Sequence, residues 1–139
     1  MQSFNPKRAR AAALAAAGLV LGSALPAAAH HSFSMFDNDH QQKITGLVTE
    51  FEWTNPHIYI RLTVPDGKGG QKPLTIEGAS PGILNRGGWK FNLIKPGDKV
   101  IMIIAPLRSG ENGGLLKEVT LPDGRVMSNG GFAGPALIH

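Results

Sequence analysis

The sequence predicts an all-β domain: a small OB-like five-stranded barrel with one short helix between strands 3 and 4. Three observations lead there. Five extended runs between Lys43 and Leu121 are separated by loops rich in Gly, Pro and Asp. One segment alone, Ala79 to Gly87, carries helix signals, and it falls between the third and fourth runs. Gly46 sits inside the first and longest run, where a glycine marks a bulge or a barrel bend. Closure removes the sheet edges that an exported monomer would otherwise have to protect, and an open sandwich is the competing arrangement.

The chain opens with a segment that does not belong to that fold. Met1 to Arg10 carries Lys7, Arg8 and Arg10 with no acid, and Ala11 to Leu25 is an apolar run rich in Ala and Leu. Pro26 and Ala27-Ala28-Ala29 complete a secretory signal peptide, residues 1–29, cleaved after Ala29. The run is short and weakly apolar for a membrane anchor, so no stable anchor is expected after cleavage. The chain has no Cys, which excludes disulfides and lipoprotein anchoring. Cleavage removes three of the 14 Lys and Arg and none of the 10 acids, leaving 11 basic against 10 acidic groups. The high pI therefore belongs largely to the leader and does not indicate nucleic-acid binding. What remains, a periplasmic or secreted protein, is one domain at 30–127 followed by a flexible tail at 128–139.

His30-His31-Ser32-Phe33-Ser34-Met35-Phe36 has no sustained period and crosses the domain surface, with Phe33, Met35 and Phe36 as apolar pins or as a plug for one barrel end. Asp37-Asn38-Asp39 is a turn; it lacks the glycine and distal glutamate of a calcium loop. Lys43 to Trp53 is the first strand, with Leu47, Phe51 and Trp53 on one face and Gly46, Val48, Glu50 and Glu52 on the other. In the second strand Ile58, Ile60, Leu62 and Val64 alternate with His57, Tyr59, Arg61 and Thr63. Pro56 bends the chain between the two and Asn55 caps the bend. Pro65-Asp66-Gly67 turns the chain into a third strand, Pro73 to Glu77. Ser80 caps the helix, Pro81 suits its first turn and Gly87 stops it. Trp89, Phe91 and Leu93 lead into the Lys95-Pro96-Gly97-Asp98 turn, Lys99 to Ala105 is the fourth strand, and Leu115 to Leu121 the fifth.

The chemistry-bearing residues cluster at the Thr54-Asn55-Pro56-His57 corner and at the new N-terminus. Cleavage after Ala29 makes His30 the first residue, so its amine and imidazole chelate as a pair. A further imidazole from His31 or His57 completes a three-nitrogen T shape suited to Cu(II). His30, His31 and His57 are thus the candidate ligands for Cu(II) or another divalent metal. His57 also suits a purely structural role, its ring bonding a carbonyl to fix the turn. The alternative function is a metal-free module that presents Trp53, Tyr59 and Arg61 to a periplasmic protein, a glycan or a small ligand. Arg61 can pair with Glu50 or Glu52 across neighbouring strands. No nucleophile elbow, metalloprotease helix or phosphate loop is present, so the reading is a binder rather than an enzyme.

The motifs His30-His31-Ser32-Phe33, Phe51-Glu52-Trp53-Thr54-Asn55-Pro56-His57, Glu77-Gly78, Ser80-Pro81, Lys95-Pro96-Gly97-Asp98 and Leu121-Pro122-Asp123-Gly124-Arg125-Val126 resemble the bacterial family called domain of unknown function 6152. The resemblance spans nearly the whole exported chain. It implies an exported small β domain and brings no established activity, cofactor or catalytic residue.

Overall fold

A computed structural model describes residues 34–130. The strands are β1 (Gln42–Glu52), β2 (Tyr59–Pro65), β3 (Gln71–Glu77), β4 (Lys99–Pro106), β5 (Gly113–Thr120) and β6 (Val126–Ser128), with α1 (Pro81–Arg86) between β3 and β4. Hydrogen bonding runs in the order β3-β2-β1-β4-β5, and a parallel pairing of β3 with β5 (Thr75 with Gly113, Glu77 with Leu115) closes the ring. This is the five-stranded OB-type barrel, with the helix where the sequence places it. Among the described residues, no helix is long and apolar enough to cross a membrane.

β1 serves two neighbours in succession. Residues 42–47 pair with β4 and residues 47–52 pair with β2. Two devices let it turn between them. At Gly46 a Cβ would stand 2.3 Å from Leu62 Cδ1 and 2.9 Å from the Thr63 carbonyl oxygen, so the strands cross at a spacing that only glycine allows. A bulge follows: Val48 faces Leu62 and Glu50 faces Arg61, leaving Thr49 as the extra residue. The bulge reverses which alternate residues face inward, and this corrects the expected faces of β1. Leu47 is exposed, opposite in sense to Phe51 and Trp53, which pack against the core. Val48 is buried, whereas Glu50 and Glu52 point outward.

The core is built from the inward residues of every strand, including Ile58, Ile60, Leu62, Ile76, Met102, Ile104, Leu116 and Val119. Burying each such side chain contributes roughly 1.5–3 kcal/mol before entropy is counted. α1 forms as expected: the Ser80 hydroxyl accepts from the Ile83 amide at 3.4 Å, Pro81 begins the first turn and Gly87 ends the helix. Leu84 of α1, Trp89 and Ile94 are buried and fill the barrel end beside Phe51. The Trp89 indole N–H is satisfied by the Ser128 carbonyl at 3.0 Å. From Gly88 to Asp98 the chain is turns and irregular backbone, and Phe91 is exposed.

Two regions differ from the expectations. Phe36 does not plug the barrel. It bridges Leu107 and packs over Ala105 and Leu115, outward residues of β4 and β5. Residues 128–130, placed by the sequence in the tail, are bonded to the barrel, while 131–139 lie outside the described residues. β6 pairs with β5, and just beyond it Asn129 serves a second bulge, at Lys117. Its backbone N–H donates to the Lys117 carbonyl (2.9 Å), its side-chain amide donates to the Leu116 carbonyl (2.8 Å), and its Oδ1 accepts from the Ala79 amide (2.6 Å).

Three substitutions test this account by urea denaturation. Asn129→Ala leaves the Leu116 carbonyl and the Ala79 amide without their partner and is expected to lower stability by about 1–3 kcal/mol. Gly46→Ala is expected to cost a similar ~1–3 kcal/mol through overpacking. Gly82→Ala, at a helical position where a Cβ meets nothing within 4 Å, should leave stability unchanged or slightly raised.

Candidate functional site

The corner between β1 and β2 is built by Thr54, Asn55 and Pro56, and the Asn55–Pro56 peptide is cis. His57 follows at the entrance to β2. Ile58 next to it is fully buried and makes two backbone bonds with the strand end opposite: its amide donates to the Ala79 carbonyl (3.2 Å) and its carbonyl accepts from the Gly78 amide (2.9 Å). Gly78 permits this approach, because a Cβ there would lie 2.6 Å from Ile58 Cγ1. The result is a rigid junction with the Gly78 carbonyl aimed at the imidazole.

His57 Nδ1 lies 3.1 Å from that carbonyl oxygen and 3.5 Å from Glu77 Oε1. A carbonyl oxygen can only accept, so Nδ1 carries the proton and donates. In the neutral ring the lone pair is then on Nε2. The His57 side chain is 31% exposed and that of Glu77 20%, so the pair is reachable without being freely solvated. The bond is the structural role expected of His57, made to the end of β3 rather than within the bend.

Tyr59 and Arg61 continue along the outer face of β2. The bulge at Thr49 sets Glu50 opposite Arg61, and the guanidinium binds both Glu50 (2.8 Å) and Glu52. The expected cross-strand pair is thus a three-residue cluster. All three side chains are more than a third exposed, so it contributes little to stability. Tyr59 is half-buried, and its phenol is raised above the ordinary value by burial first, then by the charges of Glu77 and Glu52, with Arg61 opposing. Trp53 does not share this outer face; it is half-buried and meets Phe51 edge-on at 5.8 Å, on the margin of the core.

A shallow groove of about 190 Å³ adjoins the corner, lined by Met35, Phe36, Tyr59, Thr75 and Glu77 among others. The incoming chain is fixed beside it: the Arg108 amide donates to the Met35 carbonyl (2.8 Å) and the Asp37 amide to the Pro106 carbonyl (2.8 Å). Asp37 also closes the predicted turn, accepting from the Asp39 amide and meeting His40 Nδ1 at 2.9 Å. Its carboxyl is held below the ordinary aspartate value, chiefly by the hydrogen bond from His40.

His30 and His31 lie outside the described residues. Among the described residues, no three His, Cys, Asp or Glu side chains are grouped so as to hold a metal ion. Glu77 and the Gly78 carbonyl are the site partners that the pattern of residues did not single out. Their relation to His57 comes from the pairing of Tyr59 with Glu77, a register that single-strand periodicity does not contain.

The profile of the family of unknown function DUF6152 matches residues 16–117, well over half of the chain. The chain belongs to this family. No curated protein matches it.

The chain's single tyrosine makes the outer face directly measurable. In a spectrophotometric titration, Tyr59 is expected to ionise above the pH of an exposed tyrosine. Glu77→Gln removes one of the charges opposing tyrosinate and should bring that midpoint down. Folding stability should correspondingly fall as the pH rises from the unfolded-state value through the raised folded one.

Proposed function

We propose that this protein is an exported, periplasmic metal-binding module that holds Cu(II) between its processed N-terminus and the His57 corner. The leader composition supports export, with cleavage after Ala29 giving His30 as the first residue. The observation that carries the metal reading is the placing of two acceptors, the Gly78 carbonyl and Glu77, at His57 Nδ1. Metal-ligating histidines characteristically donate their second ring N–H to a carbonyl or carboxylate, which fixes the tautomer and raises the basicity of the ligating nitrogen. His57 has both acceptors at Nδ1, the Gly78 carbonyl and Glu77, with Nε2 carrying the lone pair.

The arm geometry is compatible with this. Met35 and Phe36 share their groove with Glu77, the carboxylate beside His57. His31 precedes Met35 by four residues, which span up to about 14 Å when extended. The His30 amine and imidazole, with either His31 or His57 as third nitrogen, make a donor set suited to Cu(II). The metal-free alternative has less support. Arg61 is already engaged by Glu50 and Glu52, and Trp53 leans on Phe51, so neither is freely presented to a partner.

The experiment is copper EPR on protein whose N-terminus has been shown by mass spectrometry to be His30. A single tight Cu(II) species with nitrogen couplings is expected. His57→Ala should change those couplings, and acetylation of the His30 amine should abolish tight binding. Spectra indifferent to His57→Ala would remove the corner from the site and, with it, the proposal.

A further inference from the structure

β2 runs from the His57 corner to Pro65, and at its far end the barrel is open. The near end is filled by α1, Trp89 and Ile94; no element covers the far end among the described residues. A concavity of about 480 Å³ occupies that mouth. Its floor is apolar: Ile44, Val64, Leu74 and Ile104, the inward residues nearest the ends of β1, β2, β3 and β4. Val64 and Leu74 are the most exposed members of the main core cluster, which marks where that core meets solvent. Barrel mouths of this size with an apolar floor and a few polar rim groups are characteristic small-ligand sites.

The rim decides the ligand's charge. It holds one cation and one carboxylate, Lys72 and Glu111. The Glu111 carboxylate is engaged, accepting from the Ser109 hydroxyl at 2.9 Å. Among the described residues Lys72 forms no ion pair within 4.0 Å; its charge lowers the Asp66 carboxyl, whose oxygen accepts from the Lys68 and Gly70 amides. Gln42 and Asn112 also line the mouth. From this juxtaposition of an apolar floor and an unpaired ammonium at the rim, we infer that the open barrel mouth binds a small amphipathic carboxylate, its alkyl part over Ile44, Val64 and Leu74 and its head on Lys72. The site is separate from the His57 corner and does not depend on the metal reading.

The probe is octanoate, titrated into the exported chain and followed by methyl NMR, with octanol and octylammonium as head-group controls. Octanoate is expected to shift the methyls of Ile44, Val64 and Leu74 saturably, to bind more tightly than octanol, and to exceed octylammonium. Lys72→Glu, at an exposed position, should leave the fold intact and weaken octanoate by about tenfold or more. The inference is overturned if octanoate produces no saturable shift at those methyls. It is equally overturned if octylammonium binds as well as octanoate, which would assign the rim to Glu111, or if Lys72→Glu leaves octanoate affinity unchanged.

Discussion

Closing a ring of five short strands demands strong tilt and stagger, and here β1 takes up much of it by serving two neighbours in succession. Its first half belongs with β4 and its second with β2, so the backbone must coil sharply near residue 47. Gly46 and the Thr49 bulge supply that coil by different means. Gly46 removes the Cβ that would strike Leu62, and the extra residue at Thr49 adds local twist. The rest of the outer surface inherits the result. Before the bulge, Ile44, Gly46 and Val48 turn inward; after it, Phe51 and Trp53 do. Glu50 and Glu52 are thereby placed outside, within reach of Arg61, and the chain leaves β1 towards the Asn55–Pro56 corner.

How much of this was legible in the sequence follows from where each signal resides. The alternation of β2 is a property of one strand and was readable directly, as were the Ser80 cap, Pro81 and the Gly-rich turns. The faces of β1 were not readable, because a bulge is a relation between two strands: nothing in Leu47 to Glu52 alone says that Thr49 is unmatched across the ladder. β6 is hidden in the sequence for a similar reason. Three residues hold too little periodicity to stand as a strand, and they order only against β5. Asn129 sits in a glycine-rich stretch that reads as tail, yet its amide and backbone satisfy both carbonyls flanking the Lys117 bulge. Phe36 was recognised as an apolar anchor, but which surface it covers depends on Ala105 and Leu115 being outward neighbours across β4 and β5.

The candidate site divides along the same line. His57 was conspicuous because it follows Pro56 at a strand entrance. Glu77 and Gly78, about twenty residues on, enter the site only through the β2–β3 register and the approach of Ile58 to Gly78. Arg61, expected to pair with Glu50 or Glu52, binds both once the bulge fixes their direction.

The structural role of His57 and the metal role proposed for it are not rivals. The bond to the Gly78 carbonyl secures the corner, and the same bond decides which ring nitrogen keeps its lone pair. A ring already held by a carbonyl and flanked by a carboxylate has little rotamer freedom left to lose on coordinating an ion. The remaining donors would come from an arm whose fixed point, Met35, shares a groove with Glu77. A short tether of that kind would make the second and third coordination steps intramolecular, so that local concentration would govern the occupancy of the proposed site. In the proposed site, the fixed Pro-His corner and the short arm would both act on one quantity, the entropy lost on binding the ion. Gly78 bears on the same corner: a Cβ there would lie 2.6 Å from Ile58 Cγ1, at the junction that carries the carbonyl facing the His57 ring.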